Sequence, residues 1–83
     1  MLIFGVRYEI DPPELGQELR DALTRSGWAV RADGAFVGLF GCAQDAATTF
    51  DGLARSVGAR PTARYVFEHD SGRFVPVMPL PDD

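Results

Sequence analysis

The chain has 83 residues, which is enough for one small domain, and a formal net charge of −4 at pH 7. Its hydrophobic fraction of 46% is that of a globular protein and argues against a disordered chain. The acidic balance disfavours a phosphate backbone as partner, and the single cysteine, Cys42, excludes an internal disulfide and a multi-thiolate metal site. We expect a cytoplasmic protein, because no apolar run reaches the roughly 20 residues that span a bilayer and no leader peptide is recognisable.

The first ten residues predict a β-strand. Apolar side chains stand at every second position: Leu2, Phe4, Val6, Tyr8 and Ile10. The positions between them are mixed: Ile3, Gly5, Arg7 and Glu9. A period of two gives a strand one wholly apolar face, which we expect to be buried, and one face that can stay open.

The next segment predicts a helix that begins near Asp11 and ends at Gly27. Asp11 is placed to cap this helix, and Glu14 stands three residues later, as in a capping box. Gly27 suits the left-handed position that follows a helix. The apolar positions of the helix recur at helical spacing: Leu15, Leu19, Ala22 and Leu23.

Residues 28–32 and 35–40 are short apolar segments on either side of Asp33-Gly34. An Asp-Gly pair between such segments predicts a β-hairpin with a two-residue turn. In that register, the face that the helices leave open carries three side chains suited to binding: Arg31, Phe36 and Phe40.

The second half of the chain predicts a helix over residues 44–57 and a strand over 62–69. A three-residue loop at 70–72 then returns the chain as a strand over 73–78, which its prolines restrict to the sheet edge. We expect residues 80–83 to form a loose acidic tail.

Together these elements predict one α+β domain over residues 1–79 with a ferredoxin-like split βαβ (β-α-β-β-α-β) fold and an extra C-terminal edge strand. Both helices then pack on one face of an antiparallel sheet and leave the other face open. An apolar open face on a chain this small favours a homodimer. The predicted interface residues are Ile3, Arg31, Phe36, Phe40, Arg73, Val75 and Val77.

The strand from Met1 to Ile10 and the following helix with its repeated leucines resemble the CRISPR-associated adaptation endonuclease subunit and virulence-associated protein D. The hairpin that ends near Phe40 and the late strand extend the likeness over most of the chain. The resemblance implies a ferredoxin-like homodimer whose last strand, here 73–78, can cross to the partner's sheet. It also implies an acidic metal ligand after the tyrosine, and that position is Glu9 here, where the family has Asp.

Under this nuclease interpretation, Glu9 and Asp11 would bind Mg²⁺ or Mn²⁺, and Arg7 or Arg31 would hold a phosphate. Glu9 has a longer side chain than the Asp of the family, and the added length would disturb the geometry of a Mg²⁺ site. The chain is also more acidic than the family members that handle nucleic acid. The alternative interpretation is structural: Asp11 caps a helix, and Glu9 is solvated or pairs with an arginine such as Arg64.

Two further side chains, Cys42 and His69, can be interpreted either as structural residues or as reactive or metal-binding ones. Cys42 precedes the second helix, where the helix dipole can activate a thiol, but we expect a small buried side chain. His69 stands between two acidic residues, and we expect an exposed residue at the edge of a loop rather than a metal ligand.

The sequence therefore predicts a small non-catalytic acidic binding protein without cofactor. It would act as a homodimer that presents a sheet or acidic surface to a protein partner, in an antitoxin-like or phage-type inhibitor role, without contacting a membrane. The alternative is a metal-dependent endonuclease that cleaves RNA or DNA with Mg²⁺ or Mn²⁺. A third interpretation, an effector-binding or enzyme-like dimeric barrel of two open sheets, has no named catalytic residues.

Overall fold

The computed structural model describes residues 1–80 of the chain, so the predicted tail lies outside the described residues except for Leu80. The elements are β1 (Leu2–Asp11), a 3-10 helix (Pro13–Leu15), α1 (Gly16–Arg25), β2 (Ala29–Val30), β3 (Phe36–Phe40), α2 (Ala43–Ser56), β4 (Arg60–Glu68) and β5 (Phe74–Val75). Within these residues, no helix is long and apolar enough to cross a membrane.

The strands form one antiparallel sheet in the order β2-β3-β1-β4-β5. The predicted α+β class, with two α-helices and an antiparallel sheet, is confirmed. The arrangement is compatible with a ferredoxin-like one, but the element order differs from the predicted pattern because a separate 3-10 helix stands between β1 and α1.

The first helix begins later than predicted. β1 continues through Asp11, whose backbone pairs with Arg60 of β4, and Pro12 is also extended, with φ −76° and ψ 148°. Neither the 3-10 helix nor α1 has a side-chain hydrogen bond at its N-cap, so the predicted capping by Asp11 is wrong. The physical reason is the strand ladder, which holds Asp11 in the sheet and away from the first turn of α1.

The core lies between the helices and one face of the sheet. The largest fully buried side chains come from both layers: Val6, Leu19, Leu23, Phe50 and Val66. Tyr8 of β1 packs on Phe50 of α2 with ring centroids 4.7 Å apart. The apolar face predicted for β1 and the leucine face predicted for the first helix therefore meet in the core, as periodicity requires.

The β2–β3 hairpin has a three-residue loop instead of the predicted two-residue turn. The Arg31 N–H donates to the Ala35 carbonyl at 2.8 Å, and the Gly34 N–H donates to the Arg31 carbonyl at 2.9 Å. Gly34 has φ +90°, the left-handed conformation that such a loop assigns to glycine.

The extra loop residue exchanges the two faces of β3. Phe36 is 3% exposed and lies in the core opposite Val6. Phe40 is partly buried and packs on Trp28 with ring centroids 5.0 Å apart. The prediction that Phe36 and Phe40 lie on the open face is therefore wrong.

A buried ion pair joins β4 to α2. Arg64 donates from Nε to Asp51 Oδ1 at 2.7 Å and from Nη2 to Asp51 Oδ2 at 2.9 Å. Arg64 also donates to the Met78 carbonyl at 3.2 Å, while the Met78 N–H donates to Gln44 Oε1 at 2.8 Å. These hydrogen bonds hold Met78, which follows β5, on the side of the sheet that faces α2. This is one reason why β5 is shorter than the predicted 73–78 strand. Pro76, which follows β5 directly, lacks an N–H for the ladder.

We expect Asp51→Ala to lower the free energy of unfolding by about 3–5 kcal/mol, because it leaves a buried guanidinium without its charge partner. The Arg64 side chain is 4% exposed and the Asp51 side chain 15% exposed. Urea denaturation measures the change. The matched control is Asp45→Ala, an exposed acid on the same helix, which should change stability by less than about 0.5 kcal/mol. Equal effects of the two substitutions would contradict a structural role for the pair.

Candidate binding face

One face of the sheet is not covered by either helix in the described part of the chain. We call it the open face. Cross-strand register and strand alternation place these residues on it: Ile3, Gly5, Arg7, Glu9, Arg31, Val37, Leu39, Tyr65, Phe67 and Phe74. Its large exposed apolar side chains are Ile3 (39% exposed), Leu39 (60%), Tyr65 (59%) and Phe74 (60%). The open face is therefore an apolar surface with charged groups beside it.

Phe67 is the centre of the open face and is only 3% exposed, although no helix lies over it. It pairs with Gly5 of the neighbouring strand, and its ring occupies the space above that glycine. A Cβ on residue 5 would overlap the ring of Phe67. Phe74 and Tyr65 extend the aromatic surface, with Phe74 centroids 6.3 Å from Phe67 and 6.1 Å from Tyr65.

Two guanidinium groups also lie over the ring of Phe67. The Cζ atoms of Arg7 and Arg31 lie 5.5 Å and 5.1 Å from the ring centroid, within the range of cation–π attraction. Both arginines bind one carboxylate oxygen, Asp33 Oδ2, at 2.6 Å and 2.9 Å. Asp33 thereby fixes β1 to the hairpin loop and holds both arginines over the aromatic ring.

The environment of Asp33 lowers the pKa of its carboxyl group. The main cause is the hydrogen bond that the Ala35 N–H donates to Oδ1 at 3.1 Å. Loss of hydration opposes the shift, and the hydrogen bond and positive charge of Arg7 and the charge of Arg31 add to it. Asp33 is therefore ionised throughout the neutral range and neutralises part of the arginine pair.

The predicted interface residues fall in different places. Ile3 and Arg31 lie on the open face as predicted. Arg73 is exposed in the β4–β5 loop, whereas Val75 and Val77 are partly buried against the core of their own chain. A crossing of the last strand to a partner stays a prediction.

Three aromatic residues of the open face were missed by reasoning from sequence: Tyr65, Phe67 and Phe74. Alternation along β4 was a usable signal, since Tyr65 and Phe67 are two residues apart and flank the buried Val66. Nothing local marks Gly5 as the partner that makes room for Phe67.

Within the described residues, Glu9 and Asp11 of the nuclease interpretation do not belong to a cluster of metal-ligating side chains. Glu9 and Asp11 are exposed, and Glu9 stands opposite Ala63, while Arg64 is bound to Asp51 on the other side of the sheet. The predicted alternative pairing of Glu9 with Arg64 is therefore wrong. Among residues 1–80, no group of three or more His, Cys, Asp or Glu side chains is placed to hold a metal ion.

Cys42 and His69 also differ from expectation. Cys42 is exposed just before α2, so it is not the small buried side chain that we predicted. His69 is half-buried, and its backbone N–H donates to the Ile3 carbonyl at 3.0 Å, which continues the β1–β4 pairing past the end of β4. Its Nδ1 atom is buried and makes no hydrogen bond within the described residues.

No family model, curated protein or solved structure matches this chain. The resemblance to the CRISPR-associated and virulence-associated proteins therefore stays a prediction, and the open face has to be interpreted from its own chemistry.

Gly5→Ala tests the central contact of the open face. The new methyl group overlaps the Phe67 ring, so we expect a loss of about 1–3 kcal/mol in the free energy of unfolding, measured by urea denaturation. The loss should shrink when Phe67→Leu is present, because the ring is then gone. As control, Gly52→Ala on α2 meets nothing within 4 Å and should stabilise by about 0.5–1 kcal/mol. A neutral Gly5→Ala would contradict the tight packing.

Asp33→Asn tests the charged cluster through pH. A carboxyl whose pKa is lowered on folding contributes stability above its unfolded value of 3.8, and that contribution disappears as the pH falls through the folded value. We therefore expect the variant to have a lower melting temperature than wild type at neutral pH, with the gap closing as the pH falls below 3.8 and through the lowered pKa. Asp45→Asn is the matched exposed control, and a gap independent of pH would contradict the prediction.

Proposed function

We propose that this chain is a non-catalytic binding protein that works as a homodimer joined through the open face. The observation that carries the proposal is the exposure of four large apolar side chains on an uncovered sheet: Ile3, Leu39, Tyr65 and Phe74. Contiguous apolar surface of this kind is usually covered by a partner, because leaving it in water forgoes hydrophobic stabilisation.

The size of the open face limits the extent of a dimer contact. β1 and β4 have ten and nine residues, β3 has five, and β2 and β5 have only two each, so the strands have a footprint of roughly 440 Å² at about 3.3 Å per residue and about 4.8 Å per strand. A standard interface buries about 800 Å² on each partner, so a dimer through this face has a small interface. A two-fold dimer can use the same face on both copies, and it adds apolar burial that a chain of 83 residues lacks.

The distribution of charge supports the same occupant. The open face carries two cations, Arg7 and Arg31, and two anions, Glu9 and Asp33 beside it, so its formal charge is zero (2 − 2). The described residues outside the open face therefore carry a formal charge of −2, and the other two negative charges, Asp82 and Asp83, lie outside the described residues. Two copies can meet face to face without net repulsion between the faces, and the dimer then turns the net negative charge of its described residues outward.

An acidic outer surface fits a basic protein partner, including one that itself binds nucleic acid. We therefore assign the dimer an antitoxin-like or phage-type inhibitor role in the cytoplasm. The assignment includes a ferredoxin-like fold for each copy, which the sheet order β2-β3-β1-β4-β5 and the antiparallel pairing support. The endonuclease interpretation stays a prediction, since no observation favours it.

Sedimentation equilibrium tests the dimer. We expect wild type to sediment as a dimer and the double variant Tyr65→Ser/Phe74→Ser as a folded monomer, because each substitution removes an aromatic anchor from the interface. The matched control is Leu2→Ser/Val30→Ser. These side chains are 57% and 62% exposed, but they pair with Phe40 and Phe36 on the helix side of the sheet.

Two outcomes would contradict the proposal. A wild-type chain that stays monomeric at about 100 μM would contradict the proposed homodimer. The dissociation constant of the dimer would then be too high for the dimer to be the functional form. Cleavage of RNA or DNA with Mg²⁺ or Mn²⁺ that is lost in Glu9→Gln would show that the protein is catalytic and would favour the nuclease interpretation.

A further inference from the structure

A cleft of about 280 Å³ opens between β1, the hairpin loop and α1. It exists because β3 begins at Phe36, which pairs with Val6, so that the second half of β1 has no neighbouring strand on that side. Arg7 and Tyr8 of β1, Arg20 of α1 and Asp33 of the loop line the opening. The proposed dimer does not account for this cleft, which reaches from the open face to the helix side.

The cleft is rich in hydrogen-bond donors. Each guanidinium has five N–H donors, of which Arg7 uses one on Asp33 at 2.6 Å and Arg20 uses one on Gln17 at 3.0 Å. Tyr8 adds a hydroxyl group. Burial raises the pKa of Tyr8 by more than the charge of Arg20 lowers it, so this hydroxyl keeps its proton at neutral pH.

The cleft is also positively charged, and the one carboxylate that lines it is already engaged. Both oxygens of Asp33 are engaged, Oδ1 by the Ala35 N–H and Oδ2 by Arg7 and Arg31. Three arginines and one aspartate give the cleft and its rim a formal charge of +2 (3 − 1), in a chain whose total is −4. Several donors around a positive centre match an anion with several oxygen atoms.

We propose that this cleft binds a phosphate group between Arg7 and Arg20. Planar guanidinium groups offer paired N–H donors that fit the oxygens of phosphate, and such charge-assisted hydrogen bonds are stronger than neutral ones. The volume suits a single phosphate group rather than a whole nucleotide, since pockets for drug-sized ligands begin at about 300 Å³. Inorganic phosphate and a phosphate monoester share this chemistry.

Titration of the full chain with inorganic phosphate tests the site, with chloride used to keep the ionic strength constant. We expect a saturable rise in melting temperature and saturable shifts of the Tyr8 and Gly34 amide resonances. Arg20→Gln and Arg7→Gln should each weaken binding by roughly tenfold, the effect of losing a charged hydrogen bond. The control is Arg25→Gln, an exposed arginine on the same helix that does not line the cleft.

A parallel titration with glycerol phosphate separates the two sources of the group. Tighter binding of the ester assigns the site to a phosphate carried on a larger ligand, and tighter binding of inorganic phosphate assigns it to the free ion. A response that does not saturate, or that is the same in Arg20→Gln and Arg25→Gln, overturns the proposal. The dimer is measured separately by sedimentation, so failure of one proposal is distinguishable from failure of the other.

Discussion

The ring of Phe67 packs against the backbone of Gly5, and the guanidinium groups of Arg7 and Arg31 lie over it. The contact buries an aromatic side chain on a face that no helix covers within the described residues. The rest of the open face is arranged around it, because Asp33 binds both arginines and thereby fixes the hairpin loop. A side chain at position 5 would leave no place for the ring.

Strand β4 serves both layers of the molecule through its alternation. Phe67 and Tyr65 point to the open face, while Val66 and Arg64 point to the helices, where Arg64 binds Asp51 of α2. The open face and the helix layer are therefore supported by consecutive residues of one strand. A disturbance of β4 would change both the core and the proposed binding surface.

Charge divides the surface in a way that bears on function. The open face is apolar and formally neutral, whereas the net negative charge is carried by other residues, and this division is the basis of the proposed dimer and its proposed basic partner. The donor-rich cleft at the end of the sheet is an exception, since arginines from β1 and α1 meet there. The two features share Arg7, Arg31 and Asp33, and the cleft differs from the open face by the added charge of Arg20.

Local patterns in the sequence determined the α+β class, the apolar faces of β1 and of the two α-helices, and the glycine ends such as Gly27, with φ +94°. Tertiary contacts decided between a two-residue and a three-residue hairpin loop, because β3 pairs with the distant strand β1 in a register that sets Phe36 opposite Val6. That loop sent Phe36 into the core and left the open face to aromatic residues of β4 and β5. The physical reason is that periodicity shows which residues share a face, whereas contacts distant in sequence set the register that decides where the face points.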